Sequence, residues 1–237
     1  MAVDFGYNEG NRYVNFATGT STECSTGPCT VTFWCLRQSP YSQLHYLIIH
    51  GYIGSNGWRI TYEDRAGSTQ GLELIRHHNI AKGLWNSELT FSKDVWTFVA
   101  VAWTNPGGTI NKPEMYVNDT YWTGVPTEYP NGSYLDGADV KLGSHLSSDP
   151  YYSNCQIQDV RIYNRQLTAA EIKEIHHSRF KCKLTNGLLF HAPLIGAAGV
   201  QNFDGTSLAS GNTLLDEVGK YAGVPNGVVT GRASICE

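Results

Sequence analysis

Hydrolysis of a glycosidic bond needs two carboxyl groups facing one cleft, so carboxylate spacing is the first thing to read. In "YED", Glu63 and Asp64 are adjacent and would point to opposite faces of a strand. Asp216 and Glu217 in "LDEV" do the same, and Glu73 stands alone in its strand. The chain has no G-x-S-x-G, no P-loop and no G-x-G-x-x-G after a strand. No catalytic residue is assigned, and a non-enzyme is expected.

Metal ligands come next. "YLDGADV" offers Asp136 and Asp139, and the loop residues Asn118, Asp119 and Asp149 could lie nearby. Oxygen donors of this kind are ones calcium accepts, but none has a fixed ligand spacing, and turn chemistry accounts for Asp and Asn in loops without any metal. The absence of a CxxC pair argues against zinc. His77–His78 and His176–His177 are adjacent pairs whose members should face different ways, which reads as surface or packing.

Aromatics in loops are candidates for stacking on sugars. "NDTYWTGVPTEYP" places Tyr121, Trp122 and Tyr129 in a loop, and Tyr151 and Tyr152 form a second set. Trp122 could equally fold down as a plug. The six cysteines are Cys24, Cys29, Cys35, Cys155, Cys182 and Cys236. A Cys24–Cys29 bridge around the "STGP" turn is one reading, with Cys182 and Cys236 tethering the C-terminal segment. Free, mostly buried thiols are the other.

These groups must be positioned by a β-rich chain. At 237 residues it fits one large all-β domain or two small ones. A net charge of −4 with scattered basic residues argues against nucleic-acid binding. No apolar run reaches membrane-spanning length, and "MAVDFGYNEG" does not read as a signal peptide. Short strands follow one another at a spacing that fits a sandwich rather than βαβ units. "CTVTFWCLRQ" alternates Val31, Phe33 and Cys35 with Trp34 and Leu36, so both faces should be covered. "DVWTFVAVAWT" reads as a central strand.

One helix is signposted near residues 168–178. Thr168 is the N-cap and Glu171 completes a capping box. Leu167 and Ile172 occupy the staple positions, and Ile172 with Ile175 makes a narrow apolar stripe. The basic end "HHSRFKCK" suits the negative pole of the helix dipole.

Taken in order, "TVTFWCLRQS", "DVWTFVAVAWT", "EMYVNDT", "VKLGS" and "DVRIYNRQLTAAEI" resemble the strand series of concanavalin-A-like jelly rolls of the laminin-G/pentraxin-like type. The resemblance covers roughly residues 2–178. It implies an all-β, two-sheet antiparallel jelly-roll sandwich with one short helix at its edge. It also implies calcium at the rim, and carbohydrate or protein ligands. Glycosidases on this fold carry a pattern like E-x-D-x-x-E, which is not matched here. The family's usual opening strand is missing at the N-terminus, while the comparable "GLLFHAPLIGAAG" appears at residues 187–199. The expected division is a laminin-G-like jelly roll at 1–180 and a C-terminal segment at 181–237. That segment would complete the same domain as a permuted strand, exchange with a neighbouring subunit, or stand as a separate element.

The function expected from these readings is a non-catalytic surface module, structural or adhesive, on the outside of a virion or similar assembly. A calcium-assisted carbohydrate-binding extracellular module is the alternative, and a glycan-cleaving enzyme the remote one. Its partners would be other proteins of the assembly or surface glycans, with a homo-oligomer possible, and its location virion or extracellular.

Overall fold

A computed structural model describes residues 27–38, 43–51, 57–104, 112–131, 140–143, 154–178, 184–192 and 194, together with the backbone of six strands at 2–4, 13–16, 207–208, 214–215, 222–226 and 229–232. The strands in chain order are β1 (Ala2–Asp4), β2 (Tyr13–Phe16), β3 (Cys29–Arg37), β4 (Leu44–His50), β5 (Trp58–Glu63), β6 (Gly71–Arg76), β7 (Gly83–Asn86), β8 (Trp96–Trp103), β9 (Glu114–Val117), β10 (Thr120–Thr123), β11 (Val140–Leu142) and β12 (Cys155–Tyr163). After helix α1 (Ala169–Ser178) come β13 (Leu188–Ala192), β14 (Ser207–Leu208), β15 (Leu214–Leu215), β16 (Ala222–Asn226) and β17 (Val229–Arg232).

They form two antiparallel sheets. One runs β10-β9-β8-β3-β12-β1-β17-β14, with β13 also on β12; the other runs β15-β16-β2-β11-β4-β5-β6-β7. This is the all-β sandwich with one short helix that the sequence predicts.

Alternation in β3 and β8 decides what lies on each side of the first sheet. Val31, Phe33 and Cys35 with Val99 and Val101 face the second sheet, where they meet Ile60, Tyr62 and Leu74. Trp34, Phe98, Ala100 and Ala102 face outward into a second apolar cluster. Two alanines there leave room for a helix to sit down on the sheet. Leu167, Ile172 and Ile175 fill that room, each no more than 2% exposed. Full burial of such a side chain stabilises by roughly 1.5–3 kcal/mol. Packing of this stripe, rather than helix propensity, therefore holds a helix of 10 residues.

Its N-terminus is closed as the sequence predicts. The Glu171 amide donates to Thr168 Oγ1 at 3.3 Å, and the Thr168 amide donates to Glu171 Oε2 at 2.8 Å. Arg165 adds a two-pronged contact to Glu171 at 2.9 and 2.7 Å. Thr30 of β3 ties the approach to the helix, donating to the Arg165 carbonyl and accepting from the Leu167 amide.

The edge of β12 opposite β3 is shared by both ends of the chain. β13 pairs with Val160–Tyr163, and β1 pairs with Gln156 and Ile157 further along the same edge. The two lie in one row, running in the same direction. A bulge in β12 between Gln158 and Arg161 relative to β3 sits at this junction, with Asp159 at φ 50°. Farther out, β17 pairs with β1 and β16 with β2.

Candidate functional site: a groove between the helix and the β9–β10 hairpin

Beyond the helix, the first sheet continues through β8, β9 and β10. The Asn118–Asp119 turn joins the last two strands, with Thr120 opposite Val117. Asn118 takes φ 54°, a left-handed conformation that Asn tolerates better than most residues. Its backbone amide donates to the Phe98 carbonyl at 2.8 Å, and its Oδ1 accepts from the Phe98 amide at 3.0 Å. The turn is thereby pinned to β8.

This hairpin and the flank of α1 enclose a groove of 670 Å³, lined by Glu114, Tyr116, Asn118, Asp119 and Tyr121 on one side and by Gln166, Leu167, Thr168, Ala169, Ile172 and Lys173 on the other. Tyr116 and Tyr121 are register partners, so both rings stand on the outer face, with centroids 5.1 Å apart and planes at 49°. Tyr121 is 50% exposed. The Tyr116 hydroxyl donates to Glu114 Oε2 at 3.0 Å. Burial first, and then this bond to a carboxylate, push the Tyr116 phenol well above its ordinary range, so it remains a donor.

Asp119 sits at the tip of the hairpin, opposite the C-terminal turn of α1. Its Oδ1 lies 3.1 Å from His176 Nδ1 and 3.0 Å from His177 Nε2. The His177 hydrogen bond, and then that of His176, hold the Asp119 carboxyl below its usual value. The sequence expectation that adjacent helix residues face apart is corrected here. The two rings come to 4.6 Å of one another and converge on Asp119: His176 reaches it with the near ring nitrogen and His177 with the far one.

The other residues singled out in the sequence fall in several places. Tyr121 and Trp122 lie on a strand, not in a loop, and alternation separates them. Tyr121 faces the groove while Trp122 packs against the core between the sheets. Tyr129 is exposed, but its neighbours Thr127 and Glu128 bond to Leu84 of β7 in the other sheet, away from the hairpin. Tyr151, Tyr152, Asp136, Asp139, Asp149, Asp216, Glu217, Cys24, Cys182 and Cys236 lie outside the described residues. Cys29, Cys35 and Cys155 are buried within strands. His77 is buried, and burial first, then the charge of Arg59, depress its pKa to about 4, so it packs as a neutral ring.

Two further polar clusters are closed. Glu73 accepts from Thr61 at 3.0 Å and from Asn86 at 3.0 Å. Burial raises its carboxyl above the ordinary range against these two bonds. Burial would also raise Glu63, but hydrogen bonds from the Arg65 side chain and amide outweigh it and hold Glu63 low. Asp64 is paired with Arg37. The second cluster joins buried Asp159 to Arg161 at 3.0 Å and to His191 at 2.7 Å, tying β13 to the bulge in β12.

Calcium takes six to eight oxygen ligands. The described part of the set expected to hold it does not provide such a shell, since Asn118 Oδ1 serves the turn and Asp119 faces two imidazoles. Among the described residues, no helix is long and apolar enough to cross a membrane.

Comparison with solved structures gives the same architecture. A Bacteroides ovatus protein described as a "putative carbohydrate binding protein" superposes with a TM-score of 0.63 at 16% identity, over 98% of this chain and 60% of its own. The chain thus spans about 60% of that protein's length. A heptameric SAP-like pentraxin from Limulus polyphemus superposes with a TM-score of 0.51 at 13% identity, over 73% of this chain and 80% of its own. A comparison with curated protein sequences finds no match. A family profile described as "Concanavalin A-like lectin/glucanases superfamily" matches residues 8–173, and the chain belongs to that superfamily.

Proposed function

We propose that this chain is a carbohydrate-binding module that takes its ligand in the groove between α1 and the β9–β10 hairpin. The observation that carries the reading is the half-exposed Tyr121 ring, backed by Tyr116, in a groove that also presents Glu114, Asp119, Gln166, Thr168 and Lys173. A pyranose has an apolar face that stacks on an aromatic ring and a rim of hydroxyls that need donors and acceptors. The groove offers both within one wall-to-wall span. The Bacteroides ovatus neighbour, described as a "putative carbohydrate binding protein", supports this reading.

The role is binding rather than cleavage. Both groove carboxylates already have partners, Glu114 the Tyr116 hydroxyl and Asp119 two imidazoles. An acid–base pair for hydrolysis requires two carboxyl groups placed across the scissile bond.

A glycan array followed by titration calorimetry tests this. Wild type is expected to bind at least one glycan class, and Tyr121→Ala to weaken it by about tenfold or more, as loss of an aromatic stacking contact implies. A blank array, or a Tyr121→Ala protein that binds like wild type, overturns the reading.

A further inference from the structure

We propose that Asp119, His176 and His177 form a binding site for a borderline-soft divalent cation of the zinc type. The three donor atoms, one carboxylate oxygen and two imidazole nitrogens, lie within 4.8 Å of one another. This N₂O set is one that zinc accepts and calcium does not favour. The inference does not depend on the glycan reading, since the three donors meet whether or not the groove takes a sugar.

Two of the three donor–donor separations are close to those of a loaded site, and the third is within 4.8 Å. Ligand bonds of about 2.0–2.1 Å in a tetrahedron set donors about 3.3 Å apart. Asp119 Oδ1 stands 3.1 and 3.0 Å from the two nitrogens, so an outward shift of about 0.3 Å on each side suits an ion. Asp119 and His177 are 61% and 54% exposed at their side chains, which leaves an entry path.

His176 is held in place. Its ring stacks on Phe98 at 4.9 Å and 15° and lies 5.5 Å from the Trp34 ring. That aromatic cradle fixes its rotamer with Nδ1 toward Asp119, which lowers the ordering cost of coordination. Nothing in helix capping needs this arrangement, because a basic residue favours a helix C-terminus without converging on one oxygen. Three protein ligands leave a fourth position open, as in zinc sites that bind an exogenous group. Asp119 also lines the groove, so that position lies at the groove's rim.

The test uses the untagged full chain, stripped with chelator, titrated with zinc alone and with calcium alone by calorimetry, alongside thermal unfolding. Asp119→Asn and His177→Ala are the variants, both at exposed side chains, with urea unfolding to confirm that each folds. Wild type is expected to take up one zinc at this site, with a rise in melting temperature. Loss of a ligand should weaken it by more than the roughly 10–100-fold that losing an outer partner of a ligand costs. Calcium is expected to do neither. No zinc uptake, uptake unchanged in both variants, or calcium binding equally well through the same residues overturns the proposal. Unchanged uptake would place the zinc on cysteines or other histidines.

Discussion

Replacing Glu171 with Gln measures how much the helix clasp contributes to the fold. Glu171 holds Arg165 through both carboxylate oxygens and caps the helix through Thr168. These contacts, Arg165 first, pull its carboxyl from 4.5 to about 2. At about 1.36 kcal/mol per pH unit this corresponds to about 3 kcal/mol at face value. The group sits at the solvent boundary, where screening removes much of that, and exposed ion pairs contribute about 0.2–1 kcal/mol. Gln can still accept from the Thr168 amide in the capping box, so the expected loss in Glu171→Gln is that of the two-pronged ion pair, about 0.5–1 kcal/mol at pH 7. The sign follows from the depressed value. Stabilisation is complete above the unfolded carboxyl's ordinary pKa and is lost as pH falls through about 2. Urea unfolding at pH 7, 5, 3 and 2, followed by the fluorescence of buried Trp58, Trp85 and Trp103, should show the gap between wild type and variant closing below about pH 4.5. A gap under about 0.3 kcal/mol at pH 7, or one that stays constant down to pH 2, refutes the assignment.

Glu73→Gln should be as stable as wild type or more so at pH 7, because ionising a carboxyl that burial has raised costs stability as pH climbs above 4.5; urea titrations at pH 4 and 7 check it, and a loss above about 1 kcal/mol counts against it. Ile175→Ala empties a position that is 0% exposed under the helix and should cost about 2–4 kcal/mol in the same assay. Trp122→Ala should destabilise by about 2 kcal/mol through lost core packing, whereas Tyr121→Ala should cost under about 0.5 kcal/mol; equal effects would contradict the split of the two rings between core and groove.

The parts of the fold that were legible in the sequence are those where a local rule and the tertiary environment agree. In β3, alternation reports two covered faces because each face is indeed buried, one by the second sheet and one by the helix. The capping box and staple around Thr168 depend on residues within five positions of one another, so no long-range information is needed. The strand Thr120–Thr123 was not legible. Four residues bordered by Asn-Asp and by a Gly-Val-Pro stretch carry too little periodicity to distinguish a strand from a loop. That error hid the opposite placement of Tyr121 and Trp122, which follows at once from strand alternation. Buried polar residues such as Glu73 and Asp159 escaped for a different reason. Their partners, Asn86 and His191, lie on neighbouring strands, and only register brings them together.

The site was harder to read because none of its parts is local. His176 and His177 fail a helix-face criterion, yet that criterion concerns neighbours on the same helix, not a third group on which the two rings converge. Asp119 reaches that position because the sheet order places β9 and β10 beyond β8, under the flank of the helix. Ala100 and Ala102 set the depth at which the helix rests, and so also the height of the groove wall. Leu167 and Ile172 are buried in the cluster beneath the helix and also line the groove. One face of α1 therefore packs on the sheet while its flank lines the groove, and the two cannot be varied separately. A change that lifts the helix from the sheet moves Thr168 and Lys173 away from Tyr121 and His177 away from Asp119 in the same displacement. Loosening the clasp at Glu171 should consequently weaken ligand uptake in the groove even though Glu171 does not line it.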